Sequence, residues 1–440
     1  MWNGEIDKRP AAIARCRSVE DVVAAVRLGR DADLEISVRG GGHNFAGFAI
    51  AEDGLVIDLS LMRGVQVDVG RRVAVAQGGG TWKEVDEATQ QHALGMPGGL
   101  VSHTGIGGLT LGGGLGWLTR RHGLTCDNLR AAQIVTAQGD VLRASATENP
   151  DLFWAIRGGG GNFGIATAFE YQLHDVGPAV HVGMFFWGAD RGTEALTYCR
   201  SLFTTAPTDF GLVLVGRTAP AAPFVPSQFH GRPGYLLTVV GFGGEAEHQQ
   251  VVQRIRDEFP PLFERVAPMD YVELQRLSDD TNAWGSLAYE KALYLDELSD
   301  GAIEWWNDHL PQDGAGAYRR IVAYVLGGAY GSVNDEDTAF GGSRKAAFSF
   351  TLNSIGGPAE LFEADRAWVR ESWDAMRPFS SSTAGYVNMM AESSPDRMRD
   401  TYGPEKYDRL SRIKAQLDPD NVFHLNQNIK PAQTAESLPR

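Results

Sequence analysis

The chain has 440 residues, of which 43% are hydrophobic and 22% are charged, and its formal net charge is −15. This length predicts two domains, and the composition is typical of a soluble globular protein. The acidic balance argues against nucleic acid and anionic membranes as partners, and no apolar run approaches the ~20 residues that a transmembrane helix needs.

Short helices and strands alternate before residue 175. A capping-box-like start at Ser18 predicts a helix that ends near residue 29, and a capping box at Thr81 and Glu84 predicts a second helix to about residue 93. Alternating apolar residues predict strands over residues 34–38, 55–59, 73–75 and 165–173, a hairpin of residues 134–137 with 141–144, and a short helix over residues 151–157.

Glycine becomes rarer after residue 175, and the elements become longer. Strands are predicted over residues 235–241, 320–325 and 346–352, and helices over residues 245–259, 358–376 and 405–417. The fold class is therefore α+β. We expect three parts: residues 1–175 as an N-terminal domain, residues 176–400 as a sheet-plus-helix domain, and residues 401–440 as a C-terminal segment.

The cysteines and the N-terminus give mainly negative information. Cys16, Cys126 and Cys199 are too widely spaced for a disulfide framework or a metal-ligand pattern, so no metal site is predicted. No signal peptide is visible at the start of the chain, which favours a cytoplasmic protein.

Residues 39–47 read Arg-Gly-Gly-Gly-His-Asn-Phe-Ala-Gly. Glycine lets the backbone approach a ligand closely, and consecutive bare N–H groups can form an anion-binding nest. His43 follows the densest glycine cluster, and imidazole is a competent nucleophile. A hydrogen-bonded structural histidine is the alternative interpretation of His43.

Residues 95–116 form the longest glycine-rich stretch, which predicts a backbone shelf under a flat ligand; a glycine-rich packing crossover is the alternative. Residues 159–164 satisfy the pattern G-x-G-x-x-G. A Rossmann fingerprint needs a strand before this pattern and a helix after it, whereas here a predicted helix precedes and a strand follows. We therefore reject a Rossmann site, and no P-loop motif is present.

The order of these motifs resembles the berberine bridge enzyme family, within the vanillyl-alcohol oxidase or PCMH-type FAD-binding superfamily. The segments that carry the resemblance, spread over nearly the whole chain, are Arg39–His43, Thr104–Gly116, Gly123–Asn128, Arg157–Gly164 and Asp418–Ile429. The resemblance implies a two-part FAD-binding domain, formed by residues 1–175 and the returning segment 401–440. Residues 176–400 would form a substrate domain with a large antiparallel sheet. Relatives usually carry a further N-terminal segment, so this sequence is expected to start slightly later than theirs.

The resemblance also assigns roles to residues. His43 matches the residue that bonds the flavin 8α-methyl group. Val101 stands where many relatives have a second, cysteinyl bond, so FAD is expected to be attached once, through His43; Cys126 lies at the wrong place to substitute. Thr104 matches a position that controls the approach of oxygen. The cofactor-contacting residues predicted in this way are Arg39, Gly40, Gly41, Gly42, His43, Asn44, Val101, Thr104, Gly105, Gly107, Gly108, Gly112, Gly164, Ile165, Asn426 and Asn428.

Tyr386 and Asn388 resemble the family's Y-x-N element near the flavin face, and they are the predicted catalytic residues. Tyr386 is a reasonable base if neighbouring positive charge lowers its pKa; a packed strand tyrosine is the alternative. His103 adjoins the shelf, but a hydrogen-bonded loop histidine is the favoured interpretation.

The predicted function is an FAD-dependent oxidase that takes a hydride from a C–H bond beside an alcohol or amine. The substrate is expected to be a small organic molecule, such as a secondary metabolite or sugar-like compound, with O2 as acceptor and H2O2 as product. A dehydrogenase with another acceptor and a non-catalytic flavoprotein are the alternatives. We expect a monomer or a small homo-oligomer.

Overall fold

The computed structural model describes residues 1–312, 318–380, 382–392 and 394–433. The last seven residues of the predicted C-terminal segment 401–440, residues 434–440, lie outside the described residues.

The N-terminal strands form a parallel sheet of order β1-β3-β2, an antiparallel sheet of order β4-β5-β9-β7-β8 and the antiparallel pair β6-β10. Their bounds are β1 Ala12–Arg15, β2 Ile36–Arg39, β3 Leu55–Asp58, β4 Val65–Asp68, β5 Val73–Gln77, β6 Leu94–Gly95, β7 Leu129–Val135, β8 Val141–Ser145, β9 Ile165–Gln172 and β10 His174–Asp175.

The later strands form one antiparallel sheet of order β14-β11-β13-β12-β16-β17-β15. Their bounds are β11 Ala179–Gly188, β12 Phe210–Thr218, β13 Pro233–Gly241, β14 Phe263–Asp270, β15 Ala288–Leu295, β16 Arg319–Val325 and β17 Phe348–Ile355. The predicted α+β class with a large antiparallel sheet is therefore confirmed.

The helices lie between and beside these sheets. Their bounds are α1 Val19–Asp31, α2 Trp82–Gln90, α3 Ile106–Leu111, α4 Thr119–His122, α5 Pro150–Ala155, α6 Gly192–Thr205, α7 Glu245–Glu258, α8 Tyr271–Arg276, α9 Asp300–Asp308, α10 Ala329–Ser332, α11 Phe362–Met376, α12 Pro395–Tyr402 and α13 Pro404–Leu417. In the described part of the chain, none of them is both long and apolar enough to cross a bilayer.

The predicted caps agree with the structure. The Ser18 side chain accepts the backbone N–H of Asp21 at the start of α1, and the Glu84 carboxylate accepts the backbone N–H of Thr81 at 2.7 Å before α2. The glycine-rich residues 160–163 follow α5 and precede β9, so the order that excludes a Rossmann site is confirmed. The glycine stretch of residues 95–116 contains the short helix α3, which the sequence analysis did not predict.

The two faces of the seven-stranded sheet have different surroundings. On β12, Leu212 and Leu214 belong to the core that α6, α7, α9 and α11 cover, whereas Val213, Val215 and Arg217 face a cavity. This alternation is the period-2 pattern of a strand with distinct faces. One face of the sheet is therefore core, and the other is the wall of a site.

Candidate active site

A cavity of about 480 Å³ lies between the glycine-rich segments and the open face of the seven-stranded sheet. This volume falls in the ordinary range for ligand pockets, roughly 300–1,000 Å³. Every predicted site residue lines it except Arg39 and Asn428. The guanidinium of Arg39 instead pairs with Asp58 at 3.0 Å. The folded chain thus gathers residues from nearly its whole length, with Trp2 and Gln427 at the extremes of the lining.

Two glycine segments meet at one wall of the cavity. A Cβ atom on Gly41 would lie 2.3 Å from the backbone nitrogen of Gly105, and a Cβ on Gly105 would lie equally close to the nitrogen of Gly41. No side chain fits between them, so both positions require glycine. Gly42 adopts φ +71°, a left-handed conformation that also favours glycine. The predicted nest therefore depends on direct contact between two backbones.

The imidazole of His43 stands beside this nest. Its ring stacks on Trp2, with ring centres 4.9 Å apart. Trp284 packs against the His43 ring in an edge-on arrangement, with ring centres 5.6 Å apart. Burial, with a smaller contribution from His103, lowers the pKa of His43 to about 3. The ring is therefore neutral at physiological pH, which is the form in which imidazole can act as a nucleophile.

His103 contacts His43 directly. The Nε2 atom of His43 and the Nδ1 atom of His103 are 2.7 Å apart, so one of them donates a hydrogen bond to the other. If His43 is the donor, its Nδ1 atom keeps a free lone pair. The sequence analysis favoured a hydrogen-bonded loop histidine for His103. The hydrogen bond is present, but the partner is the predicted flavin anchor.

The positions considered for a second flavin bond differ in access. Val101, the position that the resemblance assigns to a second flavin bond, lines the cavity. Cys126 is fully buried, and burial raises the pKa of its thiol far above the ordinary value, with Asp127 adding to the increase. A buried thiol held in its neutral form is inert as a nucleophile.

Glycines in and after α3 form the floor of the cavity. A Cβ on Gly108 would meet nothing within 4 Å, so this position opens directly onto free space. A Cβ on Gly112 would lie 2.1 Å from the Oδ1 atom of Asn388. Thr104, just before the helix, also lines the cavity. The floor is therefore bare backbone next to the predicted catalytic pair.

Tyr386 and Asn388 meet at this floor. The Tyr386 hydroxyl oxygen accepts hydrogen bonds from the backbone N–H of Gly114 at 3.0 Å, from that of Leu115 at 3.1 Å, and from Nδ2 of Asn388 at 3.1 Å. These donors favour the phenolate, but burial outweighs them and raises the pKa of Tyr386 to about 12. The condition for Tyr386 to act as a base, a pKa lowered by nearby positive charge, is therefore not met. Tyr386 precedes a 3₁₀ turn and is not in a strand.

A buried ion pair holds the C-terminal segment against the cavity. Nζ of Lys414 contacts Asp418 at 2.5 Å and also donates to the backbone carbonyls of Asn162 and Phe423. Asn426 lines the cavity, and its Oδ1 atom is buried without a hydrogen-bond partner in the described residues. The Oδ1 atom of Asn428 is also buried and unpartnered there. Buried polar atoms normally have a hydrogen-bond partner, so each of these two amide oxygens is an acceptor without a donor.

The sheet wall carries polar residues that the sequence analysis did not single out. They are Arg217 on β12, Arg320 on β16, Glu290 on β15 and Asn353 on β17. Tyr324 on β16 also lines the cavity. A charged residue inside an otherwise apolar strand, such as Glu290 in Ala288–Leu295, was the available signal.

These residues fit a flavin dinucleotide. The backbone N–H groups of the nest are suited to binding an anionic phosphate. Gly108 and Gly161 leave open space where side chains would otherwise stand. Asn426, which lines the cavity, has an unpartnered amide oxygen. A long, flat and partly anionic ligand suits this combination of bare floor, nest and unpaired amide.

Comparison with known proteins decides the family. The family described as FAD binding domain matches residues 10–145, and the family described as berberine and berberine like matches residues 385–430. The chain is 30% identical over 449 residues to (R)-6-hydroxynicotine oxidase of Paenarthrobacter nicotinovorans, covering 98% of this chain and 93% of that protein. The chain belongs to the berberine bridge enzyme-like family of FAD-linked oxidoreductases.

Solved structures agree with this membership. The crystal structure of 6-hydroxy-D-nicotine oxidase from Arthrobacter nicotinovorans has a TM-score of 0.87 at 27% identity, covering 98% of this chain and 94% of that chain. The glucooligosaccharide oxidase of Acremonium strictum, described with 6-S-cysteinyl, 8α-N1-histidyl FAD, has a TM-score of 0.84 at 25% identity with the same coverage. This berberine bridge enzyme-like chain is therefore an enzyme, and FAD is its cofactor.

Proposed function

We propose that this berberine bridge enzyme-like protein is an oxidase that removes a hydride from a C–H bond beside an alcohol or amine of a small organic molecule. Oxygen would receive the electrons and be released as hydrogen peroxide. The observation that carries the proposal is that one cavity joins the neutral imidazole of His43 to the buried hydroxyl of Tyr386. The oxidase names of its relatives support the reaction class.

His43 is the proposed single covalent anchor of FAD. Its low pKa keeps the ring neutral. If Nε2 of His43 donates its proton in the hydrogen bond to His103, then Nδ1 of His43 is unprotonated. Val101 replaces the second anchoring residue of many relatives, and the buried thiol of Cys126 offers no alternative. When bound, FAD would supply the hydride acceptor and the route of electrons to oxygen.

The proposed catalytic pair is Tyr386 with Asn388. Because the pKa of Tyr386 is about 12, its hydroxyl is protonated at neutral pH. Three N–H groups converge on this oxygen, and a neutral hydroxyl has lone pairs for two of them. The protonated hydroxyl also has one hydrogen to donate, and Tyr386 lines the cavity. This arrangement supports a role in which Tyr386 binds and polarises the substrate oxygen, while Asn388 fixes the phenol ring.

Thr104 and the remaining cofactor contacts complete the proposal. Thr104 would leave oxygen access to the flavin, since its side chain is small. The nest glycines and Asn44 would hold the pyrophosphate and ring edge, Gly164 and Ile165 the adenine end, and Asn426 the ribityl side. The cavity lining supports these positions. Arg39 would act from behind the nest through its pair with Asp58, and Asn428 from outside the lining.

Mixing photoreduced protein with air tests the oxidase proposal. We expect rapid return of the oxidised flavin spectrum and release of one H2O2 for each flavin. Reduced flavin that persists in air but transfers electrons to a quinone dye would indicate a dehydrogenase. A flavin that no alcohol or amine in a metabolite collection reduces would indicate a protein that binds FAD without turnover.

A further inference from the structure

Apolar and polar side chains share the face of the sheet that lines the cavity, and two of the polar ones are arginines. Val213, Val215, Leu236 and Val322 provide much of the wall. Arg217 ends this face on β12, and Arg320 begins it on β16. The register pairs Gly216 with Ile321, so the next residues outward on these antiparallel strands, Arg217 and Arg320, are neighbours.

The two guanidinium groups lack a compensating carboxylate. In the described part of the chain, every hydrogen bond that they donate goes to a backbone carbonyl: Arg217 to Thr218, and Arg320 to Thr281 and Ile355. Arg320 is only 8% exposed, and its Nε atom is buried without a partner. Burial and the neighbouring Arg217 together lower the pKa of Arg320 to about 10, which still leaves it charged at neutral pH.

Glu290 is the acidic group nearest to this pair, but it does not neutralise it. Its Oε2 atom accepts a hydrogen bond from Nδ2 of Asn353 at 3.1 Å. Burial raises the pKa of Glu290 to about 8, with Asn353 and Arg320 opposing the increase. The carboxyl group is therefore mainly protonated at neutral pH, and the Oδ1 atom of Asn353 is unpartnered as well.

Buried arginines outside the cavity lining are compensated in one of two ways in the described residues. Arg120 donates three hydrogen bonds, to the backbone carbonyls of Leu326, Ala206 and Pro207. Arg344 makes a two-pronged contact with Asp127, at 2.8 Å through Nη1 and 2.7 Å through Nη2. Buried charges are normally paired in this way, because an unpaired one costs free energy. Two adjacent, unpaired guanidinium groups facing a cavity indicate that an anion completes the site.

We propose that Arg217 and Arg320 bind a carboxylate of the substrate, so that the enzyme oxidises small organic acids that carry a hydroxyl group elsewhere in the molecule. This inference rests on the oxidase proposed above. A planar carboxylate matches the fork of N–H donors on a guanidinium, and two such forks favour it over a neutral sugar. The same positive charge repels a protonated amine. Of the two substrate classes in the proposed reaction, alcohols are therefore favoured over amines.

The reacting end of the substrate lies toward Tyr324 and Tyr386. Arg320, Val322 and Tyr324 alternate onto the cavity face of β16. Arg320 and Tyr324 are four residues apart, which spans roughly 13 Å of strand. The Tyr324 side chain lies close enough to Tyr386 for the Tyr386 phenol to contribute to the raised pKa of Tyr324. The carboxylate and the oxidised carbon are therefore several bonds apart.

Benzoate and its neutral counterpart benzamide test the site on the flavin-containing enzyme. Isothermal titration calorimetry measures their affinity, and difference spectra of the flavin report whether they bind in the cavity. We expect benzoate to bind at least about tenfold more tightly than benzamide and to perturb the flavin spectrum. Equal affinities, or benzoate binding that leaves the flavin spectrum unchanged, would overturn the proposal.

Arg217 is the informative position because its described hydrogen bond is only to the adjacent Thr218. Arg217→Met is expected to weaken benzoate binding by about tenfold or more and to leave benzamide binding unchanged; Arg217→Lys should give an intermediate benzoate affinity. Arg232→Met is the control, since Arg232 is exposed and pairs with Asp190, and it should bind benzoate as the unaltered enzyme does.

Two outcomes separate this inference from the oxidase proposal. If Arg217→Met folds with an unchanged melting temperature but no longer holds flavin, then its guanidinium binds a cofactor phosphate, and the substrate-carboxylate proposal is wrong. If the unaltered protein binds benzoate selectively in calorimetry but its reduced flavin yields no peroxide, the anion site stands while the oxidase proposal fails.

Discussion

His43 and His103 form a hydrogen-bonded pair, with Nε2 of the first 2.7 Å from Nδ1 of the second. The pair lies where the glycine nest meets the cavity, and both rings have a lowered pKa because of burial. The contact links the predicted flavin anchor to a residue whose only sequence signal was its position beside the glycine shelf.

His103→Ala should slow the covalent attachment of FAD. Without His103, the Nε2 proton of His43 loses its acceptor, and the tautomer with a free Nδ1 lone pair is no longer favoured. We expect acid-stable flavin to accumulate about tenfold or more slowly after FAD is added to flavin-free protein. Attachment at the unaltered rate would show that the contact does not direct the tautomer.

Gly108 and Gly41 allow the shelf to be distinguished from a glycine-rich packing crossover. Gly108→Ala adds a methyl group to open space, so the melting temperature should not change. The flavin content should fall, because the methyl group would occupy space that the shelf leaves for the cofactor. Gly41→Ala forces a Cβ against the backbone of Gly105 and should destabilise the fold by about 1–3 kcal/mol. A Gly108→Ala protein with full flavin content would favour the packing interpretation.

Tyr386→Phe should lower turnover by about 100-fold with little change in flavin content, because positioned proton-transfer and hydrogen-bonding groups typically contribute that much. The measurement is kcat with the compound that reduces the flavin fastest. Tyr402→Phe is the matched control: its hydroxyl is buried and donates to the Gly158 carbonyl, and the residue does not line the cavity. Equal losses in the two variants would remove Tyr386 from the proposed chemistry.

Benzoate affinity should fall as pH rises through about 8. Below this pKa Glu290 is protonated and neutral; above it, the new negative charge competes with benzoate for Arg320 and Arg217. The other groups facing Glu290 do not titrate in this range, since Asn353 is neutral and burial raises the pKa of Tyr324. Glu290→Gln should make the affinity independent of pH between about 6 and 9. A wild-type affinity that is flat over this range would contradict the prediction.

The same shift has a consequence for stability. The folded-state pKa of Glu290 lies above the ordinary 4.5, so the unfolded chain releases this proton first. The contribution of Glu290 is therefore most favourable below about pH 4.5 and is lost as the pH rises toward 8. Glu290→Gln should flatten this part of the dependence of the melting temperature on pH.

Much of the fold was accessible from local sequence patterns. Caps at Ser18 and Thr81 and alternating strands fixed many element positions, because these signals depend on neighbouring residues. The helix α3 was missed since its glycines lower helix propensity, and packing against the rest of the domain overrides that preference.

The site was predictable only where a motif marked it. The nest, His43, Tyr386 and Asn388 belong to recognisable segments, and they line one cavity. Arg217, Arg320 and Glu290 lie in separate strands, and their proximity follows from the register of β12, β16, β17 and β15. Pairing between distant strands is set by tertiary packing, so no local pattern revealed this cluster.

Acid precipitation of the purified protein tests the covalent attachment through His43 most directly. The denatured wild-type protein should keep its yellow colour in the pellet, and His43→Ala should release any bound flavin into the supernatant. His92→Ala, which alters an exposed histidine outside the cavity lining, should behave like wild type. Colour released from the wild-type protein, or retained in the His43→Ala pellet, would contradict attachment through this imidazole.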